Sequence, residues 1–179
     1  MKLIKVSGSY FVQVDDWRYD ELNAFTWYIH KTKGRNIYYA ARKILIRKGV
    51  WRIILMHRQV LGLKYKEGKI VDHKDRDGLN CQEYNLRIAT FSQNQANTVS
   101  VKNSSSKFMG VFWGVSKREY KSKKTGEIKT YSSASWRVAL SHNSKTIYLG
   151  SFKTEKEAAL AYNEGAKKYH GEFARPNIL

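Results

Sequence analysis

Residues 71–97, VDHKDRDGLNCQEYNLRIATFSQNQAN, restrict what this chain can fold into more than any other stretch. Just before them, Lys69-Ile70-Val71 is short, apolar and β-branched, so Asp72 and His73 fall at the end of a strand. Asp77-Gly78 marks a turn in the loop that follows, and residues 85–89 read as the returning strand. Thr90, with Gln93 three residues on, is a capping box that opens a helix carrying Asn94. The predicted order is strand, loop, strand, helix, and a hairpin packed on that helix brings Asp72 and Asn94 together despite their separation in sequence.

The residue types in this window suit the breaking of a phosphodiester. That reaction needs a water relieved of a proton, positive charge on the phosphate, and stabilisation of the departing oxygen. Histidine has an unperturbed pKa near neutrality, which suits His73 to act as general base. Asp72 and the amide oxygen of Asn94 are hard ligands for a magnesium-like ion that keeps other positions for water and phosphate. Asn97, one helical turn later, is a rival ligand. Asp75, Asp77 and Gly78 suggest a calcium loop, but an EF-hand would then begin at His73 and end at Tyr84, so that pattern fails.

The ordered Asp-His, Asn-Leu-Arg and Gln-Asn elements resemble the HNH endonucleases, specifically the phage and intron-encoded homing type with a ββα-metal site. The resemblance implies His73 as the base, Asp72 and Asn94 as metal ligands, and Asn85 as the residue that braces the loop and orients the histidine. Where the family often has a third histidine this chain has Asn94, which favours an oxygen-bound divalent ion, Mg²⁺ or alternatively Mn²⁺, over zinc. Arg87, in the Asn-Leu-Arg element, is taken as a DNA contact.

Charge points to the same class of partner. The formal net charge is +18, with 18 basic and 9 acidic residues in 1–97 and 15 and 6 in 98–179, so each part carries +9. A chain this basic has a polyanion as its natural partner, because neutralising phosphates releases condensed counterions. No long apolar segment and no signal-peptide core are present, which argues against a membrane and for the cytoplasm, that of a bacterial host if the gene is phage-borne. Cys81, the single cysteine, excludes an internal disulfide and any multi-cysteine zinc site.

Ahead of the central window, 2–6 and 10–14 read as strands joined at Ser7-Gly8. Trp17, Tyr19, Leu22 and Phe25 have the spacing of a short helix, and 27–30, 37–41 and 51–55 read as further strands with turns at Lys33-Gly34 and Lys48-Gly49. Arg35, Arg42, Lys43, Arg47, Lys48 and Arg52 surround these strands and could follow a DNA backbone. His57 begins a short helical run, 56–63; a structural or phosphate-contacting role is preferred for it over a second catalytic one. His30 sits among aromatics and reads as packed.

Residues 98–107, TVSVKNSSSK, change composition abruptly and read as a linker. Beyond it 109–115, 135–141 and 145–149 read as strands, the last two joined by His142-Asn143-Ser144. Thr154 and Glu157 cap a helix that runs to Gly171 with one apolar stripe. Gly110-Val111, residues 136–140 (WRVAL), residues 148–152 (YLGSF), Glu157-Ala158-Ala159 and residues 171–175 (GEFAR) resemble the AP2 DNA-binding domain. That resemblance implies a three-stranded sheet in the major groove, with Trp113, Lys117, Trp136, Arg137, Lys145 and Tyr148 as contacts and Arg137 as the base reader. Residues 117–133 stand as a long insertion relative to that family, and a basic run in it, 121–124, is a candidate phosphate clamp.

The expectation is therefore an α+β chain. An HNH nuclease domain spans 1–97, with a small β-rich region ahead of its ββα-metal core at 69–97. A linker occupies 98–107, and an AP2-like three-stranded antiparallel sheet packed on one helix occupies 108–179. The expected activity is site-specific, metal-dependent cleavage of one strand of double-stranded DNA by a monomer. The alternative is a sequence-specific DNA-binding regulator with an inactive HNH fold.

Overall fold

The computed structural model describes residues 1–33, 36–97 and 104–179. The chain is mixed α+β and rich in strands, and it divides into two compact units, Met1–Asn94 and Gln95–Leu179. Gly34 of the turn expected at Lys33-Gly34, Arg35, and residues 98–103 of the expected linker lie outside the described residues. Within the second unit, Ser106 is buried and its hydroxyl donates to Glu155 Oε1 at 2.6 Å, so 104–107 pack as part of that unit.

The first unit begins with a hairpin, β1 (Lys2–Lys5) and β2 (Phe11–Val14), paired with Ile4 opposite Val12. Alternation buries Ile4, Val6, Val12 and Val14 while Leu3, Lys5 and Phe11 face water, the pattern of a sheet with one covered side. The helix expected around Trp17 to Phe25 is shorter than its apolar spacing suggested: a 3₁₀ turn at Asp16–Arg18 runs into α1 (Tyr19–Asn23). Then come β3 (Tyr28–Lys31), β4 (Tyr38–Arg47) and β5 (Val50–Leu55) in one antiparallel sheet, followed by α2 (Met56–Val60). Strand β4 runs well past the expected end at Ala41. Its outer part is exposed, so burial gave no signal there.

A second small sheet holds β6 (Ile70–His73) and β7 (Leu86–Ala89), antiparallel with Ile70 opposite Ala89, Asp72 opposite Arg87 and His73 opposite Leu86. Helix α3 (Phe91–Ala96) follows directly. Its capping box is formed: Gln93 N donates to Thr90 Oγ1 at 3.2 Å, and Thr90 N donates to Gln93 Oε1 at 2.8 Å. The core of the unit is Ile4, Val12, Val14, Leu22, Trp27, Ala40, Met56, Val60, Cys81 and Leu86, so strands, α2 and the 74–85 loop share one apolar interior.

The second unit is a three-stranded antiparallel sheet in the order β10-β9-β8 with one helix packed on it. Its elements are β8 (Val111–Lys121), β9 (Ile128–His142), β10 (Lys145–Phe152) and α4 (Glu155–His170). The stripe Ala158, Ala159, Tyr162 and Ala166 is buried against Val111, Val138 and Leu140. Thr154 and Glu157 form the capping box read from the sequence. The turn between β9 and β10 holds Asn143 and Ser144 at positive φ, the two-residue form that matches the twist of a hairpin. The expected insertion, 117–133, is not a separate loop: β8 and β9 continue through most of it as paired strands.

Candidate active site

Asp72 and His73 occupy the last two positions of β6, and both are buried. Successive side chains on a strand leave on opposite sides, so the two serve different neighbours. Asp72 lies opposite Arg87 on β7; Arg87 donates from Nε to Asp72 Oδ2 at 2.8 Å, and its Nη2 is 2.7 Å from the same oxygen. Arg87, taken from the sequence as a DNA contact, is thus an ion-pair partner whose side chain is 12% exposed. The hairpin register carried this signal: once Ile70 faces Ala89, opposite charges at 72 and 87 face each other.

His73 enters a group of rings. Its centroid lies 4.9 Å from His57 on α2, edge to face, and 5.7 Å from Tyr39 on β4; Tyr39 and His57 are 5.1 Å apart. Neither Tyr39 nor the closeness of His57 was read from the sequence, because the contact joins three elements through tertiary packing alone. His57 Nδ1 is buried with no hydrogen-bond partner. Burial pulls the His73 imidazole below its ordinary value, against the charges of Asp75, Asp72 and Asp77, which act to raise it. His57 is pushed down to about 3 by burial, with the charges of His73 and Arg58 adding to it. Both rings are neutral at neutral pH, the form in which an imidazole accepts a proton.

The depressed value at His57 has a consequence for stability. Between about 6.5 and about 3 the unfolded chain binds a proton there that the folded chain does not, so stability is full above that window and falls as pH drops through it. Each unit of the window corresponds to about 1.4 kcal/mol. Denaturant unfolding from about pH 7 down to about pH 4 is expected to show this loss, and His57→Gln to flatten it. An unchanged slope in the variant would mean that His57 is already protonated in the native state.

Asn85 is almost fully buried and tied into the loop between β6 and β7 on three sides. Its Nδ2 donates to Asp75 Oδ1 and to the Asn80 carbonyl, both at 2.9 Å, and its Oδ1 accepts from Asp75 N at 3.1 Å. Asp75 also accepts from Asp77 N at 2.9 Å and from Asn80 Nδ2 at 2.7 Å. The acidic residues that suggested a calcium loop therefore brace the turn. The loop is further pinned to β2, Gln13 N donating to Leu79 O and Cys81 N to Gln13 O, each at 2.8 Å. Gly78 lies so close beneath β4 that a Cβ there would stand 2.3 Å from the Tyr38 carbonyl, a contact no other residue could make. Burial pushes the Cys81 thiol up, away from the thiolate a nucleophile requires.

Asn94 sits half-buried on α3, its N–H bonded to Thr90 O at 3.0 Å. Among the described residues no cluster of three or more His, Cys, Asp or Glu side chains is placed to hold a metal. A divalent cation here would rest on a carboxylate and amide oxygens, a sparse oxygen set that suits an ion keeping much of its water shell. Two basic groups near the site serve the fold. Arg42 bonds Gln59 Oε1 at 2.9 Å and stacks over Phe25 at 3.9 Å, which removes it from the expected row of phosphate followers. Arg58 donates to the carbonyls of Lys69 and Glu67, each at 2.6 Å.

In the second unit, the register divides the expected contacts between two faces. Trp113 and Trp136 pair on the face of Val111 and Val138, 5.1 Å apart edge to face, and Trp136 packs on the core under α4. Trp136 is thus a packing residue, while Trp113 stays 46% exposed beside it. Lys117 and Lys145 lie on that same face, beyond its covered part, and are exposed. Arg137 and Tyr148 lie on the opposite, uncovered face. Arg137 lies across Gly114, where a Cβ would stand 2.5 Å from its Nε, and it donates to Ser116 Oγ. Tyr148 is 57% exposed, its hydroxyl 2.5 Å from Ser151 Oγ.

Among known proteins, the chain is similar to an uncharacterised HNH endonuclease of Acanthamoeba polyphaga mimivirus: 31% identity over 174 residues, covering 94% of this chain and 74% of the viral protein. No family model matches the sequence. No solved structure matches it either. Among the described residues no helix is long and apolar enough to cross a membrane.

Proposed function

Because the chain belongs to the HNH endonuclease family, we propose that it is a site-specific, metal-dependent endonuclease of the homing type that nicks one strand of double-stranded DNA. The observation that carries the reading is the end of β6. There a buried carboxylate and a buried, neutral imidazole occupy successive positions, above a loop locked by Asn85.

The chemistry follows from this arrangement. His73 accepts the proton of a water through its neutral ring, and that water attacks phosphorus in line with the departing 3′-oxygen. An in-line displacement puts nucleophile and leaving group on opposite sides of phosphorus. A base on one flank of a strand end and an oxygen donor on the other suit that geometry. Asp72 and Asn94 would hold the divalent ion, Mg²⁺ or Mn²⁺, which when bound neutralises charge building on the phosphoryl and leaving oxygens. Asn85 keeps the loop rigid so that His73 meets substrate from a fixed direction, and His57 backs the ring edge-on. The second unit, three antiparallel strands packed on one helix, reads the target in the major groove in the manner of an AP2 domain, Arg137 and Tyr148 facing the bases and Lys117, Lys145 and Trp113 at the rim.

The test is supercoiled plasmid carrying DNA selected by binding to the chain, incubated with Mg²⁺ or Mn²⁺. The intact protein is expected to yield relaxed circles, and Asp72→Ala none. An intact chain that binds the selected DNA and leaves it supercoiled would instead be a DNA-binding regulator with an inactive HNH fold.

A further inference from the structure

Strand β10 pairs with β9 only over Trp136 to His142, whereas β8 pairs with β9 out to Lys121 and Ile128. Beyond the sheet, β8 and β9 therefore run on as a two-stranded ribbon, turned at 122–127. The rungs from Lys117/Ser132 to Lys121/Ile128 alone add about 14 Å. Throughout 117–133 every side chain is exposed except the partly covered Ser122. An isolated two-stranded ribbon is marginal in water because it buries nothing. This one shows 54% of Tyr120 and 72% of Tyr131 to solvent.

Charge is not spread evenly over it. Six basic residues face two acidic ones in 117–133, and the register sorts them. On the face that continues Arg137, the rungs are Arg118 opposite Tyr131 and Tyr120 opposite Lys129: cations and aromatics with no acid. On the other face Lys117 and Lys121 flank Glu119. Lysines placed only to keep a free strand edge from pairing with another chain would not need this segregation.

We infer that the ribbon is a DNA-binding arm, which lays its Arg118/Lys129 face along the phosphate backbone next to the base pairs met by Arg137 and so lengthens the footprint of the sheet. The inference rests on the proposed DNA-binding role of the second unit. The arm supplies affinity without sequence preference, since its groups on this face are cations for phosphates and rings for sugar or groove edges.

The test compares two double variants of the full chain that remove equal charge: Arg118→Ala/Lys129→Ala on the ribbon, and Lys156→Ala/Lys167→Ala, two exposed cations of α4, which covers the side of the sheet away from Arg137. Binding to a mixed-sequence duplex of about three helical turns is titrated against salt, with chelator present so that nothing is cut. Each lost phosphate contact lowers the slope of log affinity against log salt by about 0.9. The first pair is expected to reduce the slope by about 1.8 and the second to leave it nearly unchanged. Equal reductions, or none in either, would overturn the arm while leaving DNA binding intact. An intact chain with no salt-dependent affinity for the duplex would overturn the DNA-binding reading and the arm with it.

Discussion

His73→Ala is expected to slow plasmid nicking by about 10²–10⁴-fold, the usual contribution of a positioned general base, while affinity for the same DNA changes little. Removing a buried ring also opens space beside His57 and Tyr39, so loss of rate alone would not separate chemistry from packing. Imidazole added to the reaction makes that separation: it should restore part of the rate in His73→Ala and none in Asp72→Ala. The intact enzyme adds a second reading. Because burial holds the His73 imidazole below its ordinary 6.5, the rate should climb with pH, bend below that value and be level at neutrality. A variant that nicks at the intact rate, or one that fails only by losing DNA, would remove the histidine from the mechanism.

What the sequence disclosed and what it concealed divide along physical lines. Capping at Thr90 and Thr154 was legible because each box is closed within four residues. The turn before Lys145 was legible too, since Asn143 and Ser144 hold positive φ, where asparagine is at home. The ribbon was concealed because it buries nothing, and period-two alternation of apolar and polar residues exists only where one face is covered. The ring contacts of His73 with Tyr39 and His57 depend on how β4, α2 and β6 pack, and no local pattern encodes that. The partition of Trp113 and Trp136 from Arg137 was readable in principle. It needed only the parity of positions 136, 137 and 138 on one strand, with Val138 in the core.

The pairing of Asp72 with Arg87 supplies the other large expected effect, and it bears directly on the metal. The two side chains are 5% and 12% exposed, and removing one partner of such a buried pair usually costs about 3–5 kcal/mol, because a charge is left in the interior without its counter-ion. Arg87→Ala should therefore lower the unfolding midpoint steeply, by about 4–8 °C for each kcal/mol in a unit of this size. If Asp72 also holds a divalent cation, that loss is partly reversible: an ion bound only by the folded state adds about 2.7 kcal/mol at a hundred times its dissociation constant. Titrating Mg²⁺ into Arg87→Ala should then raise the midpoint, and the same titration into Asp72→Ala should not. Arginine and cation compete for one carboxylate, so the intact chain should gain less from Mg²⁺ than Arg87→Ala does. A midpoint that ignores Mg²⁺ and Mn²⁺ in both the intact chain and Arg87→Ala would leave Asp72 as the structural counter-ion of Arg87. The cation would then have to come in with the DNA phosphates, without the carboxylate.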